Sequence, residues 1–356
     1  MSPARPQAPL RVGLIGFGLA GGTFHAPLIG ATAQLTLTAI VTNDAERRRR
    51  AQAEHPTARI VPTVDAMLSS GDLDLVVVAS PNGRHFEHAM TALSAGVSVV
   101  VDKPFAATAA EGRALEREGR ERRLSIIPFH NRRWDGDFLT VRGLVADGAL
   151  GEITRFESRF ERWRIVPKPR WMEANARAAA EGMLYDLHTH LIDQALVLFG
   201  PVTHVYAETD RRRAGVQVDD ESFVALTHAS GVRSHLGATI VAAQIGPRYR
   251  VYGDRGAYVK FGVDPQEEML KIGRRPGDAG WGQDAPERWG TVGDGDRVKS
   301  VPTERGAYEQ FYEGVVRTLR DGAEPPVAAA DAIAGLEIVE AAHQSADDRR
   351  VISLER

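Results

Sequence analysis

The chain has 356 residues, enough for two domains, and its 43% hydrophobic and 26% charged content is that of an ordinary globular protein, which excludes a disordered chain or a coiled coil. A formal net charge of −3 argues against a nucleic-acid partner, whose phosphates demand a basic excess. There are no cysteines, so disulfides, thiolate metal sites and cysteine nucleophiles are excluded together.

The N-terminal stretch places arginines before an apolar run, but Gly13, Gly16, Gly18, Gly21 and Gly22 break that run, so a strand and a tight turn are expected there and not a leader peptide. Apolar segments such as Leu75–Ala79 and Val99–Val101 fall far short of the roughly 20 residues of a membrane span. A soluble cytoplasmic protein with no membrane partner is expected.

From Leu10 to about Pro128, apolar runs (Leu10–Ile15, Leu35–Val41, Leu73–Ala79, Val97–Val101, Leu124–Ile127) alternate with helix-length polar stretches (Ala45–Glu54, His85–Ala95, Thr108–Arg122). Near-continuous Val/Ile/Leu runs are strands buried on both faces, and their alternation with helices specifies a Rossmann-like, doubly wound parallel α/β sheet. The pattern then changes. Gly151–Trp163 alternates, with Arg155, Glu157, Arg159 and Glu161 on one face and Phe156, Ser158 and Phe160 on the other, the period of a strand with one wet face. Strand-like segments follow at Thr203–Glu208, Ser222–His228, Val232–Ile240, Arg248–Gly253 and Ala257–Phe261, with hairpin breaks at Ala229-Ser230-Gly231 and Gly253-Asp254-Arg255-Gly256. Gly273–Gly295 reads as a long surface loop, and helices are expected over Ala307–Arg320 and Ala329–Ala346. The division expected is a dinucleotide-binding domain over 1–125 and, over 126–356, an α+β domain with an open, largely antiparallel sheet for substrate binding and oligomerisation.

Gly16-Phe17-Gly18-Leu19-Ala20-Gly21 is a GxGxxG directly after the first strand and before a helical segment. There the glycines permit the tight turn, the approach of a pyrophosphate to backbone, and close helix packing, so a dinucleotide site is expected. At the end of the second strand, where an acid would hold the adenosine ribose of NAD, counting places Thr42, with Asn43, Arg47 and Arg48 able to receive the 2′-phosphate of NADP. NADP is expected over NAD; the alternative is that Asp44 takes the ribose after a shift of register, or caps the next helix.

Only five of the 44 basic residues are lysine, and one of them, Lys103, stands in Val101-Asp102-Lys103-Pro104-Phe105, at the carboxyl end of a strand facing the cofactor crevice. Lysine can shift its pKa and give up a proton where arginine cannot. Asp186 and His190, four residues apart, share one face of a helix striped by Leu184, Leu187, Leu191 and Ala195, either as a proton-handling pair or in an ordinary hydrogen bond. His190 and Asp193 could also meet, and His188, His190 and Asp193 raise a metal site, which lacks supporting ligand spacing; none is assigned.

GxGxxG, Ser80-Pro81-Asn82 with His85, Asp102-Lys103-Pro104 and Asp186-x-x-x-His190 together resemble the Gfo/Idh/MocA family of glucose-fructose oxidoreductases and inositol dehydrogenases, over about residues 10–350. Phe24-His25-Ala26-Pro27-Leu28, Phe129-His130-Asn131-Arg132-Arg133-Trp134-Asp135, Tyr185-Asp186-Leu187 and Asp264-Pro265-Gln266-Glu267-Glu268 look most like its bacterial NADP-preferring scyllo-inositol dehydrogenase branch. Asp102 stands where the family usually has glutamate, and Asn175–Ala180 has alanines where relatives have glycines. The resemblance implies hydride transfer between nicotinamide and a secondary alcohol or ketone of a cyclitol or sugar. In that reading Lys103 hydrogen-bonds the reacting hydroxyl, Asp186 orients substrate and His190 is the general acid or base. Ser80 binds the cofactor, Asn82 and His85 lie by the nicotinamide ribose, Arg170 and Trp171 close over the cofactor, and His130, Asn131 and Arg132 line the substrate pocket. It implies a homodimer or homotetramer through the C-terminal sheet. The rival readings are a non-catalytic NADP-binding sugar sensor, a dihydrodiol- or biliverdin-type reductase, and a glycosidase working through transient oxidation.

Overall fold

The computed structural model describes residues 8–167 and 180–354. In chain order the first part comprises β1 (Leu10–Ile15), α1 (Ala26–Ala31), β2 (Leu35–Val41), α2 (Ala45–Glu54), β3 (Arg59–Val61), α3 (Val64–Leu68), β4 (Leu75–Val78), α4 (His85–Ser94), β5 (Ser98–Val101), α5 (Ala109–Arg122) and β6 (Ile126–Pro128). All pairs in this sheet are parallel, in the order β3-β2-β1-β4-β5-β6, so the strand order reverses between β1 and β4 and opens a crevice there. The expected runs are strands, and those of β4 and β5 are buried throughout, as a sheet covered on both faces requires. The short strand β3 and helix α3, of three and five residues, are too short to show a period. The sheet itself extends past residue 125 to Pro128.

Helix starts follow local chemistry. The side chains of Asp44, Thr63 and Thr108 each accept a backbone N–H three residues on, at the N-caps of α2, α3 and α5.

The rest comprises α6 (Gly136–Ala146), β7 (Ile153–Glu161), α7 (Thr189–Phe199), β8 (Val202–Asp210), β9 (Glu221–His228), β10 (Arg233–Thr239), β11 (Tyr249–Gly253), β12 (Gly256–Lys260), α8 (Gln266–Lys271), β13 (Gly290–Asp294), β14 (Arg297–Val301), α9 (Glu309–Asp321), α10 (Ala329–Asp348) and β15 (Ile352–Ser353). Its sheet runs β14-β13-β12-β11-β7-β10-β9-β8-β15, antiparallel apart from the parallel β7–β10 pair. The alternation of β7 holds: Phe156, Ser158 and Phe160 are buried, and Arg155, Glu157, Arg159 and Glu161 lie on the outer face. One expectation needs correction. The stretch 273–295 is not all loop, since Gly290–Asp294 is β13, held between β12 and β14, and Trp281 is buried with its indole N–H donating to Glu309. Glycines at 290 and 293 had hidden the strand period.

The two halves share cores. Phe311, Tyr312 and Val315 of α9 return to pack with Leu14, Leu28 and Ile29 on one face of the first sheet, while α10 packs against α5, α7 and β8. No helix among the described residues is long and apolar enough to cross a membrane.

Candidate active site

At the carboxyl ends of β1, β2, β4 and β5 a cleft of about 760 Å³ runs from the end of β2 to the start of α7. Its dinucleotide end is built from the glycine turn. Gly16 has φ +97°, and a Cβ there would lie 2.4 Å from the carbonyl oxygen of Ala79, so the turn admits no side chain. A Cβ on Gly21 would lie 2.0 Å from the oxygen of Gly16, which makes it the close-packing glycine. Gly18 has open space where its Cβ would stand, and it lines the cleft. These residues fit a pyrophosphate cradle. Thr42, Asn43 and Arg47 line the adenosine end together with Thr63 and Asp65. Asp44 is absent from this wall; its carboxylate accepts the Arg47 N–H at 2.8 Å and caps α2.

The other end holds Lys103, Asn131, Arg132, Asp186 and His190. Lys103 Nζ donates to Asp186 Oδ1 at 2.5 Å and to the Asp186 carbonyl at 3.0 Å. The Lys103 N–H donates to Asp102 Oδ1 at 2.7 Å, and Asp102 in turn lies 3.7 Å from His25 Nε2, whose ring meets the Tyr312 hydroxyl at 2.7 Å. Burial raises the Asp186 pKa, but the Lys103 ammonium, with Arg162 and Arg132 beyond it, outweighs burial and keeps the carboxyl below the ordinary range. For His190, burial and the surrounding cations Arg132 and Lys103 push the same way, and its pKa falls well below the ordinary 6.5. The site therefore sets an ionised carboxylate and an uncharged imidazole within one cleft.

The element carrying this pair is not the plain α-helix expected. Leu184–His188 is a wide π-type turn that passes into α7 at Thr189. Its start is held by Asp219, which accepts the Leu184 N–H on Oδ2 at 2.9 Å and the Met183 N–H on its carbonyl at 3.1 Å. Tyr185 donates its hydroxyl to the Ala107 carbonyl and so ties the turn to the first domain. Asp193 does not meet His190; it binds Arg133 through two hydrogen bonds, at 2.8 and 2.6 Å, and faces His130 at 3.9 Å.

Gly16, Phe17, Gly18, Thr42, Asn43, Arg47, Ser80, Asn82, Lys103, Asn131, Arg132, Asp186 and His190 converge on the cleft. Four expected residues do not line it: Gly21, which packs beneath the glycine turn, Arg48, His85 and His130. His85 is buried, with its ring nitrogens bonded to the carbonyls of Pro104 and Ser80, so it fixes the loop while His88, one turn on, lines the wall. His130 sits behind the wall in an edge-on contact with His190. Arg170 and Trp171 lie outside the described residues. Glu267 and Arg162 also line the cleft, where neither was expected. Glu267 binds Arg132 at 2.6 Å and Lys271 at 2.7 Å, which overcome its burial and bring its pKa down to about 2. Arg162 did leave a signal: it follows Phe156, Ser158 and Phe160 on the inward period of β7.

The family model described as oxidoreductase family, NAD-binding Rossmann fold, matches residues 10–129, and that described as the family's C-terminal alpha/beta domain matches 142–354. The chain is 35% identical to scyllo-inositol 2-dehydrogenase (NADP(+)) IolW of Bacillus subtilis, over 97% of this chain and 96% of that one. It is 40% identical to the oxidoreductase YdgJ of Escherichia coli, over 97% and 99%. The solved structure of the oxidoreductase yvaA from Bacillus subtilis superposes with a TM-score of 0.93 at 34% identity, covering 99% of this chain and all of that one. With both halves matched and the glycine turn, the Asp102-Lys103-Pro104 loop and the Asp186/His190 turn gathered on one cleft, the chain belongs to the Gfo/Idh/MocA family of oxidoreductases.

Proposed function

We propose that the protein oxidises a secondary alcohol of a cyclitol or sugar, scyllo-inositol-like, or reduces the matching ketone, with NADP preferred to NAD. The observation that carries the reading is the Lys103 Nζ to Asp186 Oδ1 contact at 2.5 Å, in the same cleft as His190 and the glycine turn. When bound, the nicotinamide supplies the two-electron acceptor for the hydride that leaves the alcohol carbon.

The residues of the chain manage the proton and the geometry. Asp186 holds Lys103 Nζ at the floor of the cleft, where the ammonium donates to the reacting oxygen and stabilises the negative charge that grows there as the hydride leaves. The uncharged His190 takes the hydroxyl proton. Its Nδ1 is enclosed without a partner among the described residues, which leaves Nε2 as the accepting nitrogen. Asn131 and Arg132 complete the substrate end, Ser80 and Asn82 flank the nicotinamide ribose, and Gly16, Phe17 and Gly18 carry the pyrophosphate.

NADP preference rests on Thr42, Asn43 and Arg47 at the adenosine end and on Asp44 being engaged as a helix cap. The name of the Bacillus subtilis relative supports both the cofactor and the substrate class. One observation favours NAD: Asp65 lines the same end, and a carboxylate there suits ribose hydroxyls. Residues 1–125 would hold the cofactor and 126–356 the substrate, in a cytoplasmic homodimer or homotetramer joined through the outer face of the second sheet. A screen of cyclitols and sugars by absorbance of the reduced cofactor, with NADP and NAD in parallel, tests the reading. Absence of turnover with every polyol would sink it, and strict NAD use would overturn the assignment of Thr42.

A further inference from the structure

Among the described residues, the cations of the substrate end are matched by carboxylates with one exception. Lys103 holds Asp186, Arg132 holds Asp135 and Glu267, and Lys271 holds Glu267 and Glu268. Arg162 lines the same cleft, and its guanidinium makes no hydrogen bond or ion pair with any described residue. Its backbone, in contrast, is fixed: the N–H donates to the Thr239 carbonyl at 2.9 Å, and the carbonyl accepts the Ala242 N–H at 3.0 Å. The strand period turns the side chain inward beside Phe160, away from the outer face that carries Glu161. Its field reaches Asp186, whose carboxyl it helps to keep ionised, but Asp186 is already hydrogen-bonded to Lys103.

A half-buried guanidinium on a rigid backbone, with no anion partner among the described residues, is costly to leave unmatched in a cleft that a substrate will close to water. Its planar fork suits a carboxylate or a phosphate. We propose that Arg162 is an anion-recognition residue of the substrate pocket, and that the polyhydroxylated substrate carries a carboxylate or phosphate group that pairs with it while Lys103 and His190 engage the reacting hydroxyl. This rests on the hydride-transfer reading above for the alcohol and adds the charged group.

Three probes built on one ring test it: D-glucose, D-glucuronate and D-glucose 6-phosphate, each titrated calorimetrically into the enzyme saturated with NADP, with cofactor reduction followed in the same mixtures. At least one anionic probe is expected to bind about 10- to 100-fold more tightly than glucose, the range of a hydrogen bond to a charged group. Which of the two does so identifies the group. Arg162→Met should erase that advantage and Arg162→Lys should restore part of it. Glucose binding as tightly as both anions overturns the proposal, and so does an advantage that survives in Arg162→Met. An Arg162-dependent advantage without any cofactor reduction supports the anion subsite and counts against hydride transfer. Reduction of the cofactor by glucose with no anion advantage does the reverse.

Discussion

In the proposed reaction Lys103, Asp186 and His190 divide the chemistry by environment. The Lys103–Asp186 pair sits only partly shielded from solvent, so its value lies in placing an ammonium beside the reacting oxygen and not in stability. His190 is shut in beside cations, which makes it a base at rest. Lys103→Met and His190→Ala are each expected to lower turnover by about 10² or more, the scale of a positioned acid or base. Cofactor affinity, measured by fluorescence titration, should persist in both, and full turnover in His190→Ala would remove that residue from the mechanism. The pH dependence follows from the sign of the His190 shift. A histidine with a lowered pKa stays uncharged as pH falls through 6.5 and gains its proton only well below it, so kcat for alcohol oxidation should stay level through pH 6.5 and fall at lower pH. An acid limb at or above 6.5 would contradict this. These three residues were legible in the sequence because their spacing relative to strand ends carries the signal. Arg162 left only its parity with Phe156, Ser158 and Phe160, and Glu267 left no such signal, since a charged residue gains its role only when its backbone is aimed into the cleft.

At the scale of elements, the turn that presents Asp186 and His190 depends on a residue remote in sequence. Asp219 caps Leu184, and Gly182, with φ +99°, lets the chain pass beneath it, since a Cβ on Gly182 would lie 2.0 Å from Asp219 Oδ1. Gly182→Ala should therefore both strain the backbone and displace the cap, at a cost of roughly 1–3 kcal/mol. Denaturant unfolding would show the loss, and an unaltered midpoint would mean that the turn does not need the cap. The apolar stripe of Leu184, Leu187, Leu191 and Ala195 is buried as its spacing implied. The π-type widening was not legible, because it arises from the cap and from the Tyr185 tether to Ala107, both contacts between distant segments. The same reason hid β13, whose pairing with β12 and β14 overrides a glycine-rich composition.

For the molecule as a whole, the buried histidines tie stability to pH. Burial lowers the pKa of fully enclosed His188 to about 4, opposed only by the backbone of Ser222, and it lowers those of His85 and His130 as well. The unfolded chain thus binds protons between pH 6.5 and 4 that the folded chain does not. Stability is fully present above 6.5 and falls with acidification, by up to about 3 kcal/mol for His188 alone. Melting curves across that window should show the slope, and His188→Leu should flatten it. Association is the second whole-molecule expectation. The outer face of the second sheet carries a cross-strand row of Phe223, Gly237 and Arg159, so Phe223→Asp should yield 38.7 kDa monomers by sedimentation if that face joins the copies. By itself the sequence determined the two-sheet plan and the glycine turn and singled out Lys103, Asp186 and His190, the trio proposed for catalysis, because these are written in hydrophobic period and short-range spacing. Only the tertiary structure decided that His85 and His130 stand behind the wall, that α9 returns to cover the first sheet, and that Arg162 enters the cleft without a carboxylate partner among the described residues. Each of those depends on which distant segments are brought into contact, and burial and charge pairing are properties of contacts.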